Sequence, residues 1–402
     1  MQPLPPLPVP SEAALQHSRA VKELIDTELA AAGGWISFAH YMALALYAPG
    51  LGYYSGGAAK FGQEGDFVTA PEISPLFGRT VARQAAQVLE LTNGDGAILE
   101  FGAGTGKLAL DLLLELERLG SLPSQYFILE VSAELQQRQR QLFERHAPHL
   151  LLLLVWLERL PMKFRGLILA NEVLDAMPVH LVAWHHAGLF ERGVTSASRG
   201  DEFRWNERPL EKGDLFEAAH ELTPRAESGT GDISDDVCKY VSEINLAARG
   251  FMVSLAKILQ QGAIVLIDYG FGRGEYYHPQ RSHGTLMCHY RHHAHDNPFY
   301  LPGLQDITSH VDFSAVAEAA TDTGLELLGY TTQAYFLINC GITESLARTP
   351  VENVKEYLPL ANQLQKLVSP AEMGELFKAI AFGKNISQPL IGFTRGDKSR
   401  LL

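Results

Sequence analysis

Cysteine is scarce in this chain of 402 residues, which carries only Cys238, Cys288 and Cys340. Their odd number and wide spacing argue against a disulfide framework and against a Cys-x-x-Cys metal site. Long apolar runs are missing too. The longest, Leu150 to Leu157, falls well short of the ~20 residues a membrane helix requires, and a buried strand accounts for it. Basic residues are in deficit, 33 against 46 acidic ones for a net charge of −13. That balance disfavours generic attraction to nucleic acid or to an anionic membrane. The proline-rich start, Met1 to Pro10, has no basic residue ahead of an apolar segment, so it reads neither as a secretory signal nor as an arginine-rich transit peptide. The expected setting is a reducing cytoplasm.

What the chain does contain is ordinary globular material, 46% hydrophobic and 20% charged, in a length that exceeds one compact core. Ser11 and Ser37 are placed to cap two early helices, the first ending at Gly33-Gly34. From Ala97 the pattern alternates strand, turn and helix: a strand over Ala97 to Phe101, a helix after Gly106, a strand over Tyr126 to Leu129 and a helix from Ala133 to His146. Apolar runs at Leu151 to Val155 and Leu167 to Leu169 continue it, then a helix from Asp235 to near Leu259 and a strand at Ala263 to Ile267. Such alternation implies an α/β, doubly wound, Rossmann-like core with a parallel sheet. Two late strands are expected at Leu325 to Tyr330 and Gln333 to Ile338. The organisation this predicts is an N-terminal helical and loop segment over 1–94, a core over 95–340 and a C-terminal helical segment over 341–402. Insertions interrupt the core at about 180–232, as a β-ribbon, and at about 271–305.

The sharpest motif is Glu100-Phe101-Gly102-Ala103-Gly104-Thr105-Gly106 at the end of the first core strand. Gly102, Ala103, Gly104 and Gly106 permit a tight turn and let a ligand approach the backbone at a helix N-terminus. Dinucleotide enzymes use a related loop, so the glycines alone do not discriminate. The spacing, however, is Gly-x-Gly-x-Gly, and Lys107 stands where a pyrophosphate site wants its third glycine. Glu100 would repel a diphosphate but suits the amino end of a methionine moiety, so charge favours a cationic ligand. Glu130 ends the second strand, where an acid accepts the hydroxyls of an adenosine ribose; NAD enzymes use the same acid. Val131, Trp156 and Leu157 are candidates for the adenine side, where Trp156 and Glu158 could bracket the ring; a core tryptophan beside a surface acid explains that pair equally well.

A second polar cluster, Asn171-Glu172 with Asp175, lies just beyond the fourth strand, at the sheet edge where ligands bind in open α/β folds. Carboxylates there suit a nitrogen acceptor, because a guanidinium presents a planar fork that a carboxylate pair grips bidentately. The glycine-rich segment from Tyr47 to Ser74 has neither helical nor strand periodicity and reads as a functional loop. It brings Asp66 and Glu72 as further candidate catalytic acids and Thr69 and Pro71 as donor-site residues. Asp175 as a helix cap and Glu72 in solvent are the bland alternatives. The histidines between His278 and His295 lack metal-ligand spacing.

At these positions the chain resembles the MidA-like methyltransferases, the family of the mitochondrial complex I assembly factor that symmetrically dimethylates an arginine. The resemblance rests on Tyr47-x-x-x-Leu51-Gly52-Tyr53-Tyr54, Gly65-Asp66-Phe67 and Glu72-Ile73-Ser74. It continues through Glu100 to Gly106, Asn171-Glu172 with Asp175, Pro178-Val179-His180, Asp268-Tyr269-Gly270, Gly284-Thr285-Leu286, Pro302-Gly303 and Asp306 to Phe313. It implies an S-adenosylmethionine-dependent methyltransferase core, with Gly102, Gly104 and Glu130 holding the donor and Glu172 and Asp175 facing the acceptor. It further implies a protein substrate, an arginine-bearing subunit of respiratory complex I. Small-molecule methylation and a non-catalytic, donor-binding assembly factor are the competing readings of the same residues.

Overall fold

The structure is a computed structural model and describes residues 7–56, 69–196, 202–222, 240–386 and 388–402. The chain divides into two units, each assembled from separate stretches of sequence: Met1–Phe67, Ala176–Ala248 and Gly274–His310 in one, Val68–Asp175, Arg249–Arg273 and Val311–Leu402 in the other. The cuts at 94 and 340 expected from sequence do not coincide with these units. The helix Pro75–Leu91 packs into the same apolar core as the strands that follow it.

Seven strands organise the second unit: β1 (Ala97–Phe101), β2 (Tyr126–Leu129), β3 (Leu154–Leu157), β4 (Phe164–Asn171), β5 (Leu259–Phe271), β6 (Glu326–Thr332) and β7 (Phe377–Lys384). Their order in the sheet is β3-β2-β1-β4-β5-β7-β6. β1 to β5 are mutually parallel, whereas β7 runs antiparallel to both of its neighbours. A two-residue strand, Val311–Asp312, extends the end of β5. This is the doubly wound α/β arrangement implied by the alternating pattern. Strands buried on both faces read as continuous apolar runs, and Leu167, Ile168 and Leu169 are all fully buried. Ile98, Tyr126, Ile128, Leu167, Leu169, Val265 and Ile267 share one face with the helices Pro75–Leu91 and Lys107–Leu119. The opposite face receives the helix Leu246–Ile258, whose Phe251 meets Phe101 edge-on with centroids 4.9 Å apart.

The strand order reverses beside β1: the chain moves outward to β2 and β3 on one side and to β4 and β5 on the other. A crevice forms outside the carboxyl ends at such a switch point, and both polar motifs end there.

In this unit three element assignments differ from the sequence pattern. The run Leu150 to Leu157 is a 3-10 turn, Pro148–Leu153, followed by β3, because Pro148 sets the helical φ at its start. Gln333–Asn339 is a helix, with the Thr332 hydroxyl accepting from Tyr335 N–H, a cap that outweighs the apolar run behind it. The segment after 341 supplies the expected helices, including Val354–Val368, but also β7, the strand wedged between β5 and β6.

In the first unit, Ser11 and Ser37 cap the helices Glu12–Ala31 and Phe38–Tyr47. An antiparallel sheet follows in the order Ile36–Ser37, Gly188–Ser196, His180–His185, Tyr240–Ile244, with Phe203–Pro209 on the outer side of Gly188–Ser196. Where one long helix from Asp235 was expected, Tyr240–Ile244 is therefore a strand and the helix begins at Leu246; Asp235 itself lies outside the described residues. A small sheet of His293–His295, Met287–Tyr290 and Asp306–Thr308 forms in and just after the insertion expected at about 271–305. Its Cys288 and Ile307 join Val21, Ile25, Phe38, Tyr41 and Val194 in the core of that unit.

At the amino end of the parallel strands, Ala97, Gly166 and Gly262 stand side by side on β1, β4 and β5. Gly166 has φ +128°, and a Cβ there would collide with the Ala97 carbonyl oxygen. No side-chain rotation relieves a backbone clash. We expect Gly166→Ala to cost about 3 kcal/mol or more in urea unfolding. Gly188→Ala has a similar φ of +126° but open space around the Cβ, and should cost about 1 kcal/mol. Equal losses would show that strand approach is not what selects glycine.

Candidate active site

β1 delivers Glu100 into the crevice base, where Tyr126 OH donates to its Oε2 at 2.8 Å. The carboxyl is buried. Desolvation raises its pKa to about 7, against the pull of the Tyr126 hydrogen bond and with a further push from Glu130. Beyond it, Gly102, Gly104 and Gly106 all adopt positive φ, of 60°, 53° and 87°. A Cβ on Gly104 would meet nothing within 4 Å, so the loop presents bare backbone. Gly106 caps the helix Lys107–Leu119, and Lys107 is engaged by Asp111 one turn along. A diphosphate would gain little from that cation, while the buried acid of Glu100 would oppose it.

The end of β2 carries Glu130, buried, with its Oε1 accepting from Ser132 N–H at 2.9 Å. Burial raises its pKa, and hydrogen bonds from Ser132, Gln139 and Val131 pull the other way. Val131 beside it is 67% exposed, an apolar surface open to the carboxyl edge of the sheet. Leu157 ends β3 half-buried. Trp156 is not a bare platform. Its indole N–H donates to Gln139 Oε1 at 2.7 Å, the Arg140 guanidinium covers one face at 3.9 Å, and the ring packs on the core. The structure thus places Trp156 as a supporting wall, and the apolar groups open to a ligand on this side are Val131 and Leu157.

The end of β4 is the most constrained part of the site. Glu172 takes a left-handed φ of +53°, uncommon for a residue with a side chain. Its N–H donates to Ile267 O at 2.9 Å, and its Oε1 accepts from Asn171 Nδ2 at 3.1 Å and from Ala70 N–H at 3.2 Å. The next three N–H groups, of Val173, Leu174 and Asp175, converge on Asp268 Oδ2 at 3.1, 2.9 and 3.3 Å. Asp268 Oδ1 accepts from Tyr269 N–H at 2.9 Å, and Tyr269 OH donates to Asp175 Oδ2 at 2.7 Å. Burial, and then the neighbouring Asp175 and Glu172, push the Asp268 carboxyl well above the usual range. The Asp268 carboxyl is thereby held toward its neutral form.

Glu72 and Thr69 belong to the short helix Ala70–Ile73 and its cap, and Pro71 is buried inside it. Glu72 accepts from Thr105 Oγ1, so this acid fastens the helix to the glycine loop instead of pointing into solvent or at an acceptor. Asp175 is buried against Tyr269 rather than capping a helix. Asp66 lies outside the described residues. The carboxyl edge therefore gathers Glu100, Gly102, Ala103, Gly104, Gly106, Glu130, Val131, Asn171, Glu172 and the 69–73 turn within one unit. Sequence reasoning gave no role to Asp268 or Gln139. The first opens the Asp268-Tyr269-Gly270 motif near the end of β5, toward the ligand-binding edge, which was a usable signal; the second had none from sequence spacing.

An acidic floor, a bare glycine backbone and a ribose-type acid suit an adenosine joined to an amino-acid cation. One buried atom adds to that fit: Asn171 Oδ1 has no hydrogen-bond partner among the described residues, an acceptor that a ligand donor would satisfy.

Comparison with known proteins agrees. Residues 80–331 match a family described as S-adenosyl-L-methionine-dependent methyltransferases. A protein of Burkholderia thailandensis whose crystal structure holds S-adenosyl-homocysteine is 49% identical and superposes with a TM-score of 0.92, over 99% of this chain and 100% of that one. Mitochondrial protein arginine methyltransferase NDUFAF7 of Danio rerio is 28% identical over 408 residues, covering 90% of each chain. The Drosophila melanogaster homologue is 27% identical over 427 residues, covering 96% of this chain and 90% of its own.

The raised Glu100 acid has two opposite pH consequences. Between its ordinary pKa near 4.5 and the raised value of about 7, the folded protein holds a proton that the unfolded chain releases. Its contribution to stability is present at low pH and lost as pH rises through 7. Binding of the donor's ammonium group favours the ionised acid, so affinity for S-adenosylhomocysteine should strengthen over that same window. Calorimetric titration across it tests this, with Glu100→Gln expected to bind more weakly and with a flatter pH dependence. A pH-independent affinity in the unaltered protein would remove Glu100 from the donor site.

Proposed function

Because the chain belongs to the MidA-like family of S-adenosylmethionine-dependent methyltransferases, we propose that its acceptor is an arginine side chain of a protein, methylated on nitrogen. The observation that carries this reading is the paired acceptor surface at the end of β4: the Glu172 carboxylate, fixed by Asn171 and Ala70, beside the unpartnered carbonyl oxygen of Asn171. Such a pair fits the planar fork of a guanidinium, which offers N–H donors and no acceptors. A carboxylate acceptor would meet the Glu172 carboxylate as a like charge.

When bound, S-adenosylmethionine supplies a methyl group made electrophilic by its sulfonium. The protein's task is alignment, since methyl transfer is an in-line displacement. Glu172 and Asn171 orient the guanidinium, and Glu172 accepts the proton released by the attacked nitrogen. The left-handed backbone at Glu172 holds that carboxylate at the strand end, and Asp268 keeps the backbone there by gathering the three N–H groups behind it. Glu130 and the glycine loop hold the nucleoside and amino-acid ends of the donor. The curated relatives named as protein arginine methyltransferases support a protein acceptor. By the same resemblance we take an arginine-bearing subunit of respiratory complex I, dimethylated symmetrically, as the first substrate to try.

Incubation with labelled donor and candidate subunits, followed by peptide mass spectrometry, should place the label on arginine nitrogen. Label found only on oxygen or only on small molecules rejects the reading. With a methylated subunit in hand, Glu172→Gln should lower kcat by roughly a hundredfold while changing S-adenosylhomocysteine affinity less than about threefold. Parallel losses in both would make Glu172 a donor ligand instead.

A further inference from the structure

We propose that Gln139 is a positioning residue for the donor site, its one amide tying the glycine loop, the acid at the end of β2 and the end of β3 into a single preformed cradle. The helix Ala133–His146 is strongly polar, and its buried residues fall at Leu135, Gln139 and Phe143, one per turn. That spacing marks the stripe facing the core. Two of the three are apolar as expected. The third is a wholly buried amide, where leucine would pack without the cost of removing a polar group from water.

Each polar atom of that amide is used. Nε2 donates to Gly104 O at 2.9 Å, in the middle of the glycine loop. The side chain also hydrogen-bonds Glu130. Oε1 accepts the Trp156 indole N–H at 2.7 Å. An amide has two N–H donors and one carbonyl acceptor, and here they reach the carboxyl ends of three different strands. The aliphatic part of Gln139 lies 3.1 to 3.3 Å from where a Gly106 Cβ would sit, so it buttresses the loop sterically as well. No donor atom need touch Gln139 for this to matter. With the loop, Glu130 and Trp156 linked, the sites for the two ends of the donor are set in fixed relation before binding, which lowers the ordering cost of capture.

This inference rests on the donor reading of the site and is tested without any methyl acceptor, by calorimetric titration of the full-length protein with S-adenosylhomocysteine. Gln139→Leu keeps the volume and removes all three hydrogen bonds; its dissociation constant should rise about tenfold to a hundredfold. Gln139→Glu keeps the acceptor for Trp156 but sets a carboxylate against Glu130 and the Gly104 carbonyl, and should lose at least as much. Trp156→Phe, which removes the indole N–H together with part of the ring, should lose about threefold or more.

The readout that a purely structural role would not move is the double-mutant cycle. Gln139→Leu combined with Glu130→Ala should weaken binding by at least about fivefold less than the product of the two single effects. A folded Gln139→Leu variant with a lower Tm but the parent's affinity would overturn the proposal, as would strictly multiplicative losses. Should the leucine variant not fold, parental affinity in both Gln139→Glu and Trp156→Phe overturns it equally. Failure of the unaltered protein to bind S-adenosylhomocysteine would strike the donor reading and not the role of Gln139.

Discussion

The fold's chemistry depends on one carboxylate, Asp268, gathering four backbone N–H groups in the interior. Such a group is costly to bury and is tolerated only when its lone pairs are filled. Here they are filled by the residues just past β4 and by Tyr269. The converging N–H groups form a nest of the kind that usually receives an anion from outside; in this chain a carboxyl oxygen from the neighbouring strand takes that place. This binds the ends of β4 and β5 together, and Glu172 has little freedom to relax from its left-handed backbone. Strain stored at a functional residue persists only where the surroundings over-determine it.

The donor half of the crevice follows a different logic. Glu100 and Glu130 are both held from water, and each is harder to ionise than a surface acid. A cationic amino-acid group and a pair of ribose hydroxyls offer what these acids lack. On the proposed donor reading, such a ligand would complete what is an electrostatically unfinished pair of acids in isolation. Lys107, the cation that follows the glycine loop, is turned to Asp111.

Much of this was readable before any coordinates. β1, β2 and the helix Ala133–His146 fall where the apolar pattern put them, because parallel strands buried on both faces and amphipathic helices leave strong local signals. The tight turn at the glycine loop and the placement of Glu130 at a strand end were legible because both are set by local chain geometry. What sequence hid was long-range. Trp156 and Glu72 looked like ligand contacts, but partners 17 and 33 residues away claim them. Tyr240–Ile244 lacks enough length to announce itself and becomes a strand through pairing with His180–His185. β7 sits beyond a helical stretch, and only its sheet neighbours reveal why an octet with Lys378 and Lys384 among its residues is extended.

The position of β7 also shapes how the molecule comes into being. β5 and β6 meet only through it, yet it is made after both. During synthesis the parallel strands can assemble in turn, leaving β5 with a long unpaired apolar margin until Phe377–Lys384 emerges. Open sheet margins invite pairing with other chains, and pairings distant in sequence form slowly. The nascent polypeptide therefore passes through a stage at which its catalytic edge is nearly complete while its opposite flank remains adhesive, a point at which a chaperone has the most to protect.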